Sequence, residues 1–315
     1  MINFRIMLVK IFSAIIIFFQ SIFGLNAHNQ SPISAQISNS LIPTIANETL
    51  LFLRENIGPT LPLKRSDADD LEINALSAIA FDTKSEKILY QKNIDEKLPI
   101  ASLTKLMTAD VFLENNNPEQ IVTISKKSVE TYGEMGELTV GEKIKAKDLL
   151  YILLMQSSND AADALAENME EYQTGNLVSL MNKKVKEIGA YDTSFIDPAG
   201  LDENNLSTAL DLTKITQYAI QHKLILEILQ TSTADILSID GRYNHRLTNT
   251  NKFLETMPNV LGGKTGYTEE AGECMILLFQ IPEKDNIIIT IVLNAENRIK
   301  ETEKLINWIN QSYVF

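Results

Sequence analysis

Apolar runs of strand character stand at both ends of the chain's body, with a helical stretch between them. Near the C-terminus they are Cys274-Met275-Ile276-Leu277-Leu278-Phe279 and Ile287-Ile288-Ile289-Thr290-Ile291-Val292-Leu293. Near the front, Ala75 to Gln91 holds two shorter runs rich in Ile, Leu, Phe and Tyr, divided by the polar turn Asp82-Thr83-Lys84-Ser85-Glu86-Lys87. That pattern predicts a β-hairpin. Between the two ends, Leu149 to Met155 reads as an apolar helix, and a second helix starts at Asp160 after the Ser157-Ser158-Asn159 break. Asn176 to Gly189 reads as helical, with Gly189 as its stop. Ser207 is expected to cap a further helix running to about His222. Ile121 to Ile124 and Gly133 to Lys145 read as short strands and turns, and Glu301 to Asn310 as a terminal amphipathic helix. Strands thus flank a helical middle. The expected class is an α+β domain whose sheet draws on both chain ends.

The front of the chain has another character. Ile6 to Leu25 is largely apolar, with Arg5 and Lys10 on its amino side, which reads as an export leader. Its end, Leu25-Asn26-Ala27, is a poor small-x-small cleavage site. About 20 apolar residues can also span a bilayer, so an uncleaved anchor is the alternative. Residues 28–70 are rich in Ser, Asn, Gln and Pro and read as a spacer, apart from an apolar patch at Leu50-Leu51-Phe52-Leu53. The expected division is therefore 1–27 leader or anchor, 28–70 linker and 71–315 folded domain. A net charge of −13 over 315 residues argues against nucleic acid as a partner. The single cysteine, Cys274, excludes an internal disulfide and reads as a buried thiol. His28, His222 and His245 are isolated, without metal-ligand spacing, so neither metal nor cofactor is expected.

The chemistry concentrates at Pro99-Ile100-Ala101-Ser102-Leu103-Thr104-Lys105. In a helix, Ser102 and Lys105 lie on one face. A serine hydroxyl is a weak nucleophile until a base takes its proton. Lysine can be that base only in its neutral form, which requires burial or a second cation nearby. The other reading is a capped helix with a solvated lysine, since a lone Ser-x-x-Lys arises by chance.

Two further elements sharpen the choice: Ser157-x-Asn159 and Lys264-Thr265-Gly266. In this order the three form the signature of penicillin-binding proteins and class A β-lactamases. The chain resembles the D-alanyl-D-alanine carboxypeptidases, low-molecular-weight penicillin-binding proteins of the serine peptidase type, from about Leu71 onward. Asp197-Pro198-Ala199-Gly200-Leu201-Asp202, Ser207-Thr208-Ala209-x-Asp211-Leu212, Asn249-Thr250-Asn251-Lys252 and Ala271-Gly272-x-Cys274 also match family segments. The resemblance implies a β-lactamase/transpeptidase-like fold, an antiparallel sheet flanked by helices with a mostly helical second lobe. It implies Ser102 as nucleophile, Lys105 as base, Ser157 as proton relay and Asn159 as a holder of substrate amide and Lys105. Lys264 and Thr265 would bind the substrate's terminal carboxylate, and Gly266 would let substrate lie along the strand edge. The N–H groups of Ser102 and Tyr267 would form the oxyanion hole. Arg298 would either add charge to the carboxylate site or be a solvated arginine. The implied partners are peptidoglycan stem peptides ending in D-Ala-D-Ala, with β-lactams as covalent inhibitors.

Three rivals remain from the sequence. A class A-like β-lactamase needs a water-activating carboxylate, for which Glu203 is the candidate. A DD-endopeptidase cutting peptidoglycan crosslinks would use the same residues. A non-catalytic wall-binding protein would keep the fold without the chemistry.

Overall fold

The computed structural model of the chain describes residues 61–130 and 137–315; the expected leader and most of the spacer lie outside them. The front hairpin supplies β1 (Ala75–Asp82) and β2 (Lys87–Lys92). After a 3-10 turn, Ala101–Thr104, come α1 (Lys105–Asn115), α2 (Ala146–Met155), α3 (Asn159–Glu171) and α4 (Leu177–Glu187). Then follow α5 (Ala209–Ala219), α6 (Lys223–Gln230), β3 (Val260–Thr268), β4 (Gly272–Gln280), β5 (Ile287–Ala295) and α7 (Arg298–Ser312). The five strands form one antiparallel sheet in the order β3-β4-β5-β1-β2, so rear and front of the body pair in its middle, Ile291 opposite Ile79. The class is α+β, as expected.

Both faces of the sheet are covered, which is why its strands read as continuous apolar runs. Successive side chains of a strand point to opposite faces. Ile79, Ile276, Leu278, Ile289 and Ile291 therefore join the core beneath the helical lobe. Ala78, Ala80, Met275, Leu277, Ile288 and Val292 join a second core with Leu305, Ile306 and Ile309 of α7. Each such Leu or Ile contributes roughly 1.5–3 kcal/mol by leaving water. Helix α1 is buried without a break from Lys105 to Phe112. A helix with no polar face belongs in the middle of a lobe, and α1 packs against α2, α4 and α5.

Several local expectations need correction. The cap of α5 is Thr208, whose Oγ1 accepts from the Asp211 N–H at 3.0 Å, and not Ser207. Ser207 belongs to a short strand, Leu206–Ser207, paired with Leu98–Pro99, and its hydroxyl lies 2.8 Å from Thr193 Oγ1. Helix α5 stops at Ala219, and His222 instead stands at the start of α6. The segment from Gly262 to Thr268 is itself a strand, β3, on the sheet's edge. Residues 61–70, expected in the linker, are tied to the body. Leu63–Lys64 pairs with Tyr313–Val314, and Trp308 Nε1–H donates to the Asp69 carbonyl at 2.7 Å.

Candidate active site

Ser102 sits half-buried in the 3-10 turn that opens α1. One turn on, Lys105 is fully buried, and its Nζ lies within hydrogen-bond distance of Ser102 Oγ, at 2.7 Å. The same Nζ lies 2.8 Å from Asn159 Oδ1 and 2.6 Å from the Ala199 carbonyl. Asn159 is placed by the break between two helices. α2 ends at Met155, Ser157 takes a left-handed backbone with φ of 65°, and Ser158 Oγ caps α3 by accepting from the Ala161 N–H at 3.1 Å. The turn at Ser157 points its hydroxyl to the third motif, where it accepts from Lys264 Nζ at 2.8 Å. Ala101, just before the nucleophile, is also left-handed, with φ of 47°. Such strain in non-glycine residues persists only where surrounding structure imposes it.

The third motif lies on β3. Lys264 is 1% exposed and donates also to the Thr265 carbonyl at 2.8 Å. Thr265 Oγ1 donates to Thr250 Oγ1 at 2.7 Å, which fixes the hydroxyl at one wall of the cleft. Gly266 faces the nucleophile's turn. A Cβ there would stand 3.0 Å from the Ile100 carbonyl oxygen and 3.1 Å from Ser102 N. A side chain at this position would thus crowd the packing of β3 on that turn even before any substrate arrives. Tyr267 is exposed at the rim. Arg298, at the start of α7, donates from Nη1 to the Gly266 carbonyl at 2.9 Å, so it is a cleft residue and not a solvated one.

The cleft has a volume of about 660 Å³ and is lined by Ser102, Ser157, Asn159, Thr265, Gly266, Tyr267 and Arg298, with Lys105 and Lys264 buried behind it. The structure therefore brings all nine predicted residues together. Glu203 is exposed and does not line the cleft. Cys274 pairs with Gly266 in the sheet register, and burial pushes its thiol up to about 11, so it is inert. Sequence reasoning did not assign the Ala199 carbonyl or the Thr250 hydroxyl. Both lie in segments that resemble the family, but the Ala199 oxygen is backbone and has no signature in a sequence, while Thr250 stands between Asn249 and Asn251 with nothing local to single it out. No helix among the described residues is long and apolar enough to cross a membrane.

Comparison with known proteins follows the same lines. Residues 64–297 match the model of a family described as D-alanyl-D-alanine carboxypeptidase. A D-alanyl-D-alanine endopeptidase of Escherichia coli is 32% identical, over 78% of this chain and 81% of its own length. The D-alanyl-D-alanine carboxypeptidase DacF of Bacillus subtilis is 34% identical, over 65% of this chain and 54% of its own length. The crystal structure of the Streptomyces K15 DD-transpeptidase superposes with a TM-score of 0.70 at 28% identity, covering 76% of this chain and 98% of that one. With the family model matched across most of the body, the chain belongs to the D-alanyl-D-alanine carboxypeptidase family of serine peptidases.

Proposed function

We propose that the protein removes the terminal D-alanine from peptidoglycan stem peptides through an acyl-enzyme on Ser102. The observation that carries this reading is the pairing of two buried amines with two hydroxyls, Lys105 on Ser102 at 2.7 Å and Lys264 on Ser157 at 2.8 Å. Burial and a second ammonium are the conditions under which a lysine serves as a base. Lys105 takes the Ser102 proton as Oγ attacks the carbonyl between the two D-alanines. The backbone N–H groups of Ser102 and Tyr267 receive the developing oxyanion. Ser157, held by Lys264, passes a proton to the departing amine, and water then releases the acyl group. Lys264, Thr265 and Arg298 supply cationic and hydrogen-bonding partners for the terminal carboxylate inside a globally acidic protein. Asn159, Gly266 and Tyr267 frame the scissile amide. β-Lactams, which mimic that amide, acylate the same serine.

A second reading is cleavage of D-alanyl crosslinks. It is favoured by the Escherichia coli endopeptidase, matched over 81% of its length where DacF is matched over 54%. A β-lactamase is disfavoured by the position of Glu203, exposed and away from the cleft. The apolar segment from Ile6 to Leu25 supports action beyond the cytoplasmic membrane, in the periplasm or wall space, either secreted or held by that segment. The test is digestion of defined monomeric and crosslinked muropeptides, followed by mass spectrometry. Release of D-alanine from monomers by the wild type but not by Ser102→Ala is expected. Cleavage of crosslinked dimers alone would replace the first reading with the second.

A further inference from the structure

We propose that Asp197, which lies outside the cleft lining, is a positioning residue for Lys105, acting through the carbonyl of Ala199. The inference rests on Lys105 being the base. A neutral lysine amine carries two N–H bonds and one lone pair. Asn159 Oδ1 and the Ala199 carbonyl oxygen, 2.8 and 2.6 Å from Nζ, can only accept. When they take the hydrogens of the neutral amine, the lone pair faces Ser102 Oγ at 2.7 Å, which unlike those two oxygens has a hydrogen to give. In the reacting step the Ser102 O–H bond breaks, a third N–H bond forms on Lys105, and the electron pair left on Oγ attacks the carbonyl carbon. Without the Ala199 oxygen the amine can rotate an N–H toward Ser102 and turn its lone pair away.

Asp197 aims that oxygen. Its Oδ1 accepts from the N–H groups of Ala199 at 2.7 Å and Gly200 at 2.6 Å. Its Oδ2 accepts from Leu201 at 3.1 Å, Asp202 at 2.7 Å and the Asn205 amide at 2.6 Å. In a planar trans peptide the N–H and C=O point in opposite directions. The Gly200 N–H bound to Asp197 thus turns the Ala199 carbonyl away from the carboxylate, onto Lys105. The Ala199 N–H bound to Asp197 likewise turns the Pro198 carbonyl onto Thr108 of α1, whose Oγ1 donates to it at 2.6 Å. Two consecutive peptide planes transmit the position of one carboxylate to α1. The loop approaches this closely because residue 200 is glycine, with φ of 83°, where a Cβ would stand 2.0 Å from the Ala101 carbonyl oxygen.

The test compares Asp197→Asn with Asn182→Ala. Asn182 holds Phe195 by two backbone bonds and tethers the same loop without touching the Asp197 cradle. Acylation by a fluorescent penicillin is followed from pH 5 to 10, separating the acylation rate constant from the affinity of the non-covalent complex. For Asp197→Asn the rate constant is expected to fall about tenfold, the value of one hydrogen bond to the reacting base, with affinity unchanged and the pH–rate midpoint displaced. Asn182→Ala is expected to lower the melting temperature and leave the pH–rate midpoint in place. A rate constant and midpoint for folded Asp197→Asn equal to wild type would overturn the proposal. If wild-type protein takes no penicillin, the functional reading fails separately. The NMR titration of the 13C-labelled Lys105 side chain then decides: a displaced titration in Asp197→Asn supports the positioning role, and an unchanged one removes it.

Discussion

Replacing Gly266 by alanine separates two reasons for a glycine beside the nucleophile. The added Cβ would stand 3.0 Å from the Ile100 carbonyl oxygen, 3.1 Å from Ser102 N and 3.3 Å from Ala101 Cβ. Two of these three are backbone atoms of the turn that carries Ser102, and ordinary contact begins near 3.4 Å. The turn or β3 must therefore yield by about 0.4 Å, and a 1 Å misplacement of reacting groups costs on the order of 100-fold in rate. The acylation rate constant for penicillin is expected to fall roughly five- to tenfold on that scale. Stability should change little, because alanine in a strand recovers about 0.5–1 kcal/mol over glycine and offsets the crowding. Stopped-flow acylation gives rate constant and affinity separately, and a thermal melt gives stability. If glycine served only to make room for substrate on the strand edge, affinity would weaken and the rate constant would hold. That result would refute the reasoning.

Three other perturbations follow from the geometry. Ser102→Ala is expected to abolish penicillin labelling and Lys105→Ala nearly to do so, both with native circular dichroism; retained labelling in Ser102→Ala would falsify the nucleophile assignment. Burial, first of all, lifts the Asp110 carboxyl from 3.8 to about 8, with the charge of Glu114 adding to it. The folded state thus holds a proton that the unfolded chain releases, so stability is full below pH 4 and is lost as pH rises toward 8. Asp110→Asn should therefore flatten the urea-denaturation midpoint between those pH values and be more stable than wild type by a few kcal/mol at pH 9. A midpoint for the variant that declines as steeply as wild type would contradict this. Cys274, its thiol held at about 11 by burial, should resist iodoacetamide at pH 8 in the native protein and react fully in denaturant, as read by mass spectrometry.

The parts of the fold legible in the sequence were those where local pattern and tertiary role agree. β4 and β5 carry long apolar runs because both faces of the sheet are buried there, and those runs needed no further context. The site was legible because its chemistry depends on residue type at short spacing, Ser102 to Lys105 and Ser157 to Asn159. What escaped has physical reasons. Three glycines at 262, 263 and 266 hid the strand character of β3, although its backbone pairs along β4 as far as Thr268 with Gly272. Ser207 and Thr208 are adjacent and both can cap, serine somewhat the better, but pairing of Leu206–Ser207 with Leu98–Pro99 decides for Thr208. Helix α6 and the hairpin of Thr233–Leu237 with Asn244–Thr248 went unread, since short elements carry little periodicity. The link from Asp197 through the Ala199 carbonyl to Lys105 spans sequence-distant segments and runs through backbone, which side-chain motifs do not encode.

The central claim is that the hydroxyl one turn before a buried lysine is the nucleophile of this cleft. Incubating the purified protein with a penicillin and mapping the adduct by peptide mass spectrometry tests it directly. The account predicts a single added acyl group on the peptide containing Ser102, long-lived, and nearly lost in Lys105→Ala. An adduct on Ser157 or on any other residue, or no adduct on folded protein, would contradict it.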